Sequence, residues 1–380
     1  MLTLALPLGN SFGWGICGKY LAREIARLGP ARLVGSPFEV ADIGDEFEYS
    51  ELQRLFVDRA ATEFSAQGSD VLQAITGSDL MPMAPGLRGR RNVGYTFIEN
   101  SILPAASLEN ARRHFDVVAA GSTWCKEVLL EHGLQRTTAI FQGVDPAIFN
   151  MAENRKAFFD DRFVVFSGGK LEFRKGQDIV IRAFKVLHER HSDVLLVNAW
   201  FNHWQSSWQS MTASPHIRFD YQGSDHCAAT NHLLAANGID LEKVLTLPAK
   251  PQLAMARIYK NTDCGLFPNR CEGGTNLALM EYMACGKPAI VSNSSGHRDV
   301  ANDRNALLLK NLQPLTVDMG GHGMTVWDEP SLEEAIESLE WAYGHRDSLR
   351  DIGKAAGSSM QAFSWTAAAQ QFHALLSGQD

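Results

Sequence analysis

No two of the six cysteines, at positions 17, 125, 227, 264, 271 and 285, form a C-x-x-C pair, and six in 380 residues make no disulfide framework. A reduced interior is expected. Positive charge is not in excess either. Thirty-five Lys and Arg stand against 43 Asp and Glu, a formal net charge of -8, which argues against a general polyanion binder and a nucleic-acid partner but leaves room for a local basic patch. No uninterrupted apolar run approaches the roughly 18–20 residues that span a bilayer. The first cation, Lys19, comes after the opening apolar stretch and its glycines, so the N-terminus makes a poor signal peptide. The expected location is cytoplasmic, with at most peripheral contact at the inner membrane face. No 20–50-residue repeat is visible. The chain also lacks an Asp-x-Asp pair at a strand end and any His/Asp cluster with metal-ligand spacing.

What is present is a large apolar fraction, 45% of the chain, with 21% charged residues. That excludes disorder as the overall state. At roughly 100–200 residues per domain, the length accommodates two or three domains. The opening reads as strand, glycine loop and helix: LTLALPL (2–8), GNSFGWGICG (9–18) and KYLAREIARLG (19–29). Strand-like runs at ARLVG, DVLQAI (70–75), NVGYTF (92–97), DVVAAG (116–121) and TTAIFQGV (137–144) follow, with helical patterns between them. The pattern restarts after the charged, turn-prone MAENRKAFFDDR (151–162). It continues through FVVFSGG (163–169), the amphipathic QDIVIRAFKVLHERH (177–191), DVLLVNAW (193–200), KVLTLP, DCGLFP and KPAIVS. Such alternation predicts an α/β chain with two successive parallel sheets, closed by two or three terminal helices. In NAWFNHWQSSWQS (198–210), Trp200, Trp204 and Trp208 recur at a spacing that predicts one shared helix face.

Three stretches carry chemistry. In RCEGGTNLALMEYMACGKPAIV (270–291), Thr275 or Asn276 caps a helix that Gly286 and Pro288 end. Gly273 and Gly274 let backbone approach a ligand, and the free amides from Gly274 to Leu277 make an anion site. Glu281 falls on an apolar stripe of that helix and needs donors to offset desolvation. A ribose diol would supply two; an arginine partner or solvent is the other reading. Arg270 stands where it would face phosphates or sugar. In SGGKLEFRKGQDIVIRAF (167–184), Gly168 and Gly169 end a strand, and Lys170, Arg174 and Lys175 cluster before a helix. Lysines at the C-terminal edge of a sheet suit a pyrophosphate, or they are solvated surface residues. In GNSFGWGICG, Gly13, Gly15 and Gly18 match G-x-G-x-x-G spacing. This reads as a phosphate-approach loop or simply a tight strand–helix turn.

The 167–184 and 270–291 stretches together resemble the retaining GT-B glycosyltransferases, specifically glycosyltransferase family 4. The family turn G-R-L-x-x-x-K-G is matched by Gly169-Lys170-Leu171-Glu172-Phe173-Arg174-Lys175-Gly176, with Lys170 in place of the usual arginine. The family E-x7-E appears as Glu272 and Glu281 with one extra residue between them, followed by Ala284-Cys285-Gly286-Lys287-Pro288. FQGVDPAIF (141–149), SSGHRDVANDRNALLL, a GYTFIENS stretch ahead of an S-x-x-x-x-E helix, and FSW near residue 363 extend the resemblance over about positions 90–375.

The resemblance implies a GT-B fold: a Rossmann-like acceptor domain (1–155), a Rossmann-like donor domain (156–355), and a C-terminal helix (356–380) packed back on the first domain. It implies transfer of a hexose-type sugar, with retention and without a metal or other cofactor. The donor is a nucleotide diphosphate sugar; the acceptor is a saccharide, glycoconjugate or lipid-linked hydroxyl. Lys170 and Lys175 would stabilise the diphosphate, Glu272 would lie near the sugar hydroxyls, and Glu281 would hold the ribose. Gly15, Gly169, Gly273, Gly274, Thr275, Asn276, Leu277 and Arg270 would complete the donor site. Gly13 and Trp14 would stand on the acceptor side. Relatives carry a histidine where GYTFIENS has Glu99, the candidate polar contact at the reacting centre, or else a capping or salt-bridge carboxylate. His297 is a further candidate for the cleft. Two rival functions remain: a non-catalytic GT-B shell that binds a nucleotide sugar or glycan, and a GT-B nucleotide-sugar epimerase.

Overall fold

The computed structural model describes residues 1–58, 66, 68–153, 156–202, 205–221, 223 and 225–378. Two parallel sheets organise the chain. The first contains β1 (Leu2–Ala5), β2 (Ala31–Gly35), β3 (Phe56–Asp58), β4 (Asp70–Thr76), β5 (Met81–Pro82), β6 (Asn92–Thr96), β7 (Val117–Ala120) and β8 (Thr137–Ala139). Its order is β3-β2-β1-β4-β6-β7-β8, all parallel, with β5 antiparallel on β4. The second contains β9 (Phe163–Gly168), β10 (Val194–Ala199), β11 (Val244–Thr246), β12 (Cys264–Phe267), β13 (Ala289–Ser292) and β14 (Leu307–Leu309) in the order β11-β10-β9-β12-β13-β14. β15 (Leu312–Asp318) and β16 (Met324–Pro330) form an antiparallel hairpin beside it. The central strands are apolar on both faces: β9 is buried along its whole length. That is the pattern of a sheet covered on both sides by helices.

Helices α1 (Gly13–Leu28), α2 (Val40–Ile43), α3 (Glu46–Leu55), α4 (Ala105–His114) and α5 (Thr123–Glu131) accompany the first sheet. The second is followed through by α6 (Gln177–Arg190), α7 (His226–Ala236), α8 (Gln252–Lys260), α9 (Leu277–Ala284), α10 (Leu332–Gly344) and α11 (Arg346–Met360). The last helix, α12 (Trp365–Ser377), returns to the first sheet. Its Trp365 stacks on Tyr20 of α1 with ring centroids 5.3 Å apart, and Phe372 meets Tyr95 of β6 at 4.8 Å. The return needs a glycine at 143, because a Cβ there would fall 2.2 Å from the Trp365 backbone nitrogen.

The two bodies touch directly. A Cβ on Gly273 would meet the Ile98 carbonyl oxygen at 2.3 Å, and one on Gly274 the Phe97 ring at 2.8 Å. Of the glycine pair expected to admit a ligand, Gly273 admits the first body's backbone and Gly274 its Phe97 and Gln142 side chains. The hairpin clasps the same place. Trp327 Nε1 donates to the Glu99 carbonyl at 2.7 Å, and Ser101 N donates to Thr325 Oγ1 at 2.9 Å.

The tryptophan face does not form. Trp200 directly follows β10 and is buried, donating to Ser167 Oγ at 3.0 Å. Trp208 sits on a 3-10 helix, Gln205–Ala213, against Tyr221. Trp204, and Asn154 and Arg155 of the expected connector, lie outside the described residues. The expected helix is cut because the strand and its core packing hold residue 200, so helical hydrogen bonds begin only after it.

Candidate active site

In both sheets the C-terminal strand ends meet across one cleft, the place where open α/β sheets bind ligands. The cavity measures about 310 Å³, within the usual range of small-molecule sites. The first body contributes Asn10 to Phe12 of the loop after β1, Gly13 and Trp14 at the start of α1, Phe97, Glu99 and Gln142. The second contributes Gly168 to Lys170, Arg174, Lys175, Pro248 to Lys250, Gln252, Glu272, Gly274, Asn276 to Ala278 and Glu281.

Local backbone rules place the lysines. Gly169 directly follows β9 at φ +113° and Gly176 follows a 3-10 turn at φ +71°, conformations that favour glycine. At Gly176 a Cβ would also lie 2.1 Å from the Pro268 carbonyl oxygen. The turn between them, Phe173–Lys175, delivers Arg174 and Lys175 to the cleft. There they meet three carboxylates. Lys175 Nζ pairs with Glu272 Oε1, and Arg174 bonds Glu272 Oε2 at 3.3 Å and Glu172 Oε2 at 3.3 Å. Arg174 also reaches across the cleft to Glu99 Oε1 at 2.9 Å, and Lys170 pairs with Glu172 at 2.8 Å. Lys170, Lys175, Glu272 and Glu99, scattered over 173 positions, thus share one ion network. Burial pushes the Glu272 carboxyl up, but Lys175 and Arg174 outweigh it and hold it down at about 2. Burial and the neighbouring Arg174 lower Lys175, with Glu272 opposing. Burial raises Glu99 despite Arg174.

Two helix starts face the same space. Asn276, at φ +62°, caps α9 by accepting from Leu279 N, and Leu277 and Ala278 line the cleft. The first amides of a helix have no intrahelical acceptor, so they offer donors and a positive dipole end. The first turn of α1 begins at Gly13 with no side-chain cap. Gly13 and Trp14 line the cleft, and Trp14 packs edge-on against Phe97 with centroids 4.4 Å apart.

Glu281 is buried on α9, 6% exposed, and still reaches the cleft. Neither an arginine nor solvent holds it. Gln252 Nε2 donates to its Oε1 at 2.8 Å and Tyr259 OH to its Oε2 at 3.5 Å. Gln252 in turn accepts from Tyr20 OH of the first body at 3.2 Å. Burial drives the Glu281 carboxyl up to about 7, and the two donors offset only part of that.

Several expected residues stand apart from the cleft wall. Arg270 is fully buried behind it, paired with Asp178 at 2.8 Å and with Glu329, over the Phe173 ring. It therefore braces α6 against β16 and does not face the phosphates or the sugar. His297 is buried and reaches the cleft only through Asn276, whose Nδ2 lies 3.0 Å from its Nε2. Burial and nearby Lys175 hold its imidazole near 4, so it is neutral. Gly15 packs on Gly9 inside α1, Gly273 on the first body, and Thr275 on Met280. Glu172, Gln142, Gln252 and Tyr259 were not anticipated as site residues. Glu172 was legible, lying inside the Gly169–Gly176 turn itself. Gln142 precedes the glycine of FQGVD. Nothing local marks Gln252 or Tyr259.

Residues 162–317 match the family model described as Glycosyl transferases group 1. No curated protein matches the chain. Sucrose-phosphate synthase from Thermosynechococcus elongatus is similar over 100% of this chain and 98% of its own, at 14% identity and a TM-score of 0.68. Anabaena HepE, solved in complex with UDP-glucose, is similar over 100% of both chains at 15% identity and a TM-score of 0.67. Trehalose 6-phosphate synthase from Burkholderia multivorans is similar over 100% of this chain and 98% of its own, at 13% identity and a TM-score of 0.63. At such identities the likeness establishes the fold, which is GT-B. Among the described residues, no helix is long and apolar enough to cross a membrane.

Proposed function

We propose that this chain, with a group 1 glycosyl transferase domain set in a GT-B fold, moves a hexose-type sugar from a nucleotide diphosphate sugar to an acceptor hydroxyl, with retention and without a metal. The observation that carries the proposal is the convergence on one interdomain cleft of Lys170, Arg174 and Lys175, two helix starts, Glu272 and the buried Glu281. The family match to residues 162–317 supports the reaction class. The fold neighbour solved with UDP-glucose supports a nucleotide-sugar donor.

In this reading the sugar C1–oxygen bond to the diphosphate breaks while a bond from the acceptor oxygen to C1 forms on the same face. The acceptor proton passes to the leaving phosphate oxygen, so no separate base is required. The developing charge on the diphosphate falls where cationic side chains and backbone donors already stand, arranged before the reaction begins. Glu281 accepts from the ribose diol, and Glu272, held on Lys175, takes sugar hydroxyls. Gly13 and Trp14 border the acceptor.

A donor screen tests the proposal: uridine-, guanosine- and adenosine-linked sugars are incubated with candidate acceptors, and nucleoside diphosphate release is followed. Release that depends on acceptor, with an unchanged anomeric configuration by proton NMR, is the expected result. Donor binding without release under any acceptor would leave a binding protein, and interconversion of donor sugars without transfer would leave an epimerase.

A further inference from the structure

A second cavity, of about 630 Å³, opens at the opposite edge of the second sheet. Phe163, the first residue of β9, lines it, as do Lys287 and Pro288 just ahead of β13. The cleft is reached from the other end of β9, at Gly168 and Gly169. At ~3.3 Å per residue along a strand, the two openings stand roughly 20 Å apart.

Lys156, Arg162, Lys287, Arg346, Arg350 and Lys354 line this cavity, against only Asp160 and Asp263. They come from three segments distant in sequence: the connector between the bodies, the turn that ends α9, and helix α11. In a chain of net charge -8, this is a local reversal of sign. Gathering like charges around a void costs free energy unless counter-charge offsets it. The protein's own counter-charge is partial. Lys156 pairs with Asp263 at 2.5 Å, and Arg346 reaches Asp193 at 3.2 Å. Arg350 and Lys354 pair with Asp347 and Asp351 one turn away, on exposed positions where such pairs contribute little. Lys287 is 7% exposed and donates to the Thr262 carbonyl at 3.0 Å, with no salt bridge to a described residue. Burial draws its ammonium down to about 8.

From this arrangement we infer that the cavity binds a phosphorylated small molecule of at least two negative charges, with Lys287 at its floor and Arg350 and Lys354 at its mouth. The volume falls in the range of small-molecule sites, and a concave chamber suits a compact ligand better than a macromolecular surface. Guanidinium forks and ammonium point charges are the groups that recognise phosphate. The site also touches the donor helix. Gly353 of α11 packs on the Gly286 carbonyl, where a Cβ would come within 2.4 Å, and Gly286 ends the helix that carries Glu281. An occupant joining Lys287 to α11 braces that turn.

Hydrogen–deuterium exchange on the full chain tests this, with inorganic pyrophosphate as the probe. Millimolar pyrophosphate should slow exchange in peptides spanning 284–290 and 346–356. The variant Arg350→Ser with Lys354→Ser, altered only at exposed positions, should need at least tenfold more pyrophosphate for the same slowing. The response of peptides around 169–176 in the cleft should be the same in both proteins. No slowing at the two cavity segments, slowing that survives the double substitution unchanged, or equal slowing by sodium chloride at matched ionic strength would each overturn the inference.

Discussion

Glu272 and Glu281 lie nine residues apart, both buried and both on the wall of the same cleft, yet their carboxyls are displaced in opposite directions. Glu272 is held near 2 and Glu281 near 7, either side of an ordinary 4.5. Desolvation raises both. At Glu272 two paired cations, Lys175 and Arg174, overcome it; at Glu281 the neutral donors Gln252 and Tyr259, with a weaker pull from Lys19, offset only part of it. At Glu281 two neutral side-chain donors lower the carboxyl by less than burial raises it. Glu281 is therefore the group with most to gain from a diol that brings two further donors. Glu272 already has its counter-charge in Lys175 and Arg174, and in the proposed reaction its part would be to fix Lys175 and present a formal charge to the sugar.

The sharpest way to break the contrast is to remove the cation. Lys175→Ala should lower turnover by about 10²–10³-fold, the typical effect of losing one donor to a developing anion. That loss should exceed the loss in donor affinity; equal losses in kcat and in donor Kd would reduce the lysine to ground-state binding.

The next effect is on stability. The folded state holds a proton on Glu281 between pH 4.5 and about 7 that the unfolded chain has released. Its contribution therefore grows unfavourable as pH rises through that window. Glu281→Gln should be more stable than the parent by on the order of 2–3 kcal/mol at pH 8 and no different at pH 4. Glu272 has the reverse sign: its contribution is present above pH 4.5 and lost as pH falls toward 2. Urea denaturation of Glu281→Gln and its parent across pH 4–8 measures the difference, and parallel curves would show that Glu281 is not raised in the folded protein.

Donor affinity separates the two carboxylates more gently. Glu281→Ala should weaken donor binding about 10–50-fold, the loss of hydrogen bonds to a charged acceptor, while leaving the fold intact. In the parent protein donor affinity should rise from pH 6 to pH 8 as Glu281 ionises, and in the alanine variant it should be flat. Calorimetric titration at both pH values shows whether this holds. The smallest effect is expected at the interdomain pair. Arg174 keeps Glu172 and Glu272 when Glu99 is neutralised, so Glu99→Gln should cost about 1 kcal/mol or less. A larger loss of stability would mean that the Glu99 contact, and not the glycine-packed interface, joins the two bodies.

Legibility followed sequence distance. The Gly169–Gly176 turn was readable because positive φ and close approach at its glycines are local demands, and Lys175 lies inside them. The helix of Glu281 was readable from its cap, its apolar stripe and its terminal glycine. Arg270 was misplaced because its partners, Asp178 and Glu329, are 92 and 59 residues away. Gln252 was missed for the same reason: it meets Tyr20 across 232 residues.

The order of strands and helices, the glycine turns and the positions of Lys175 and Glu281 were decided within the sequence itself, since periodicity, capping and backbone sterics act over a few residues. The direction in which each buried carboxyl is displaced was decided only by the tertiary structure. So were the pairing of Glu99 with Arg174 and the gathering of six cations around a second cavity. Desolvation and Coulomb energy depend on which distant atoms arrive within a few ångströms, and that is a property of the folded arrangement.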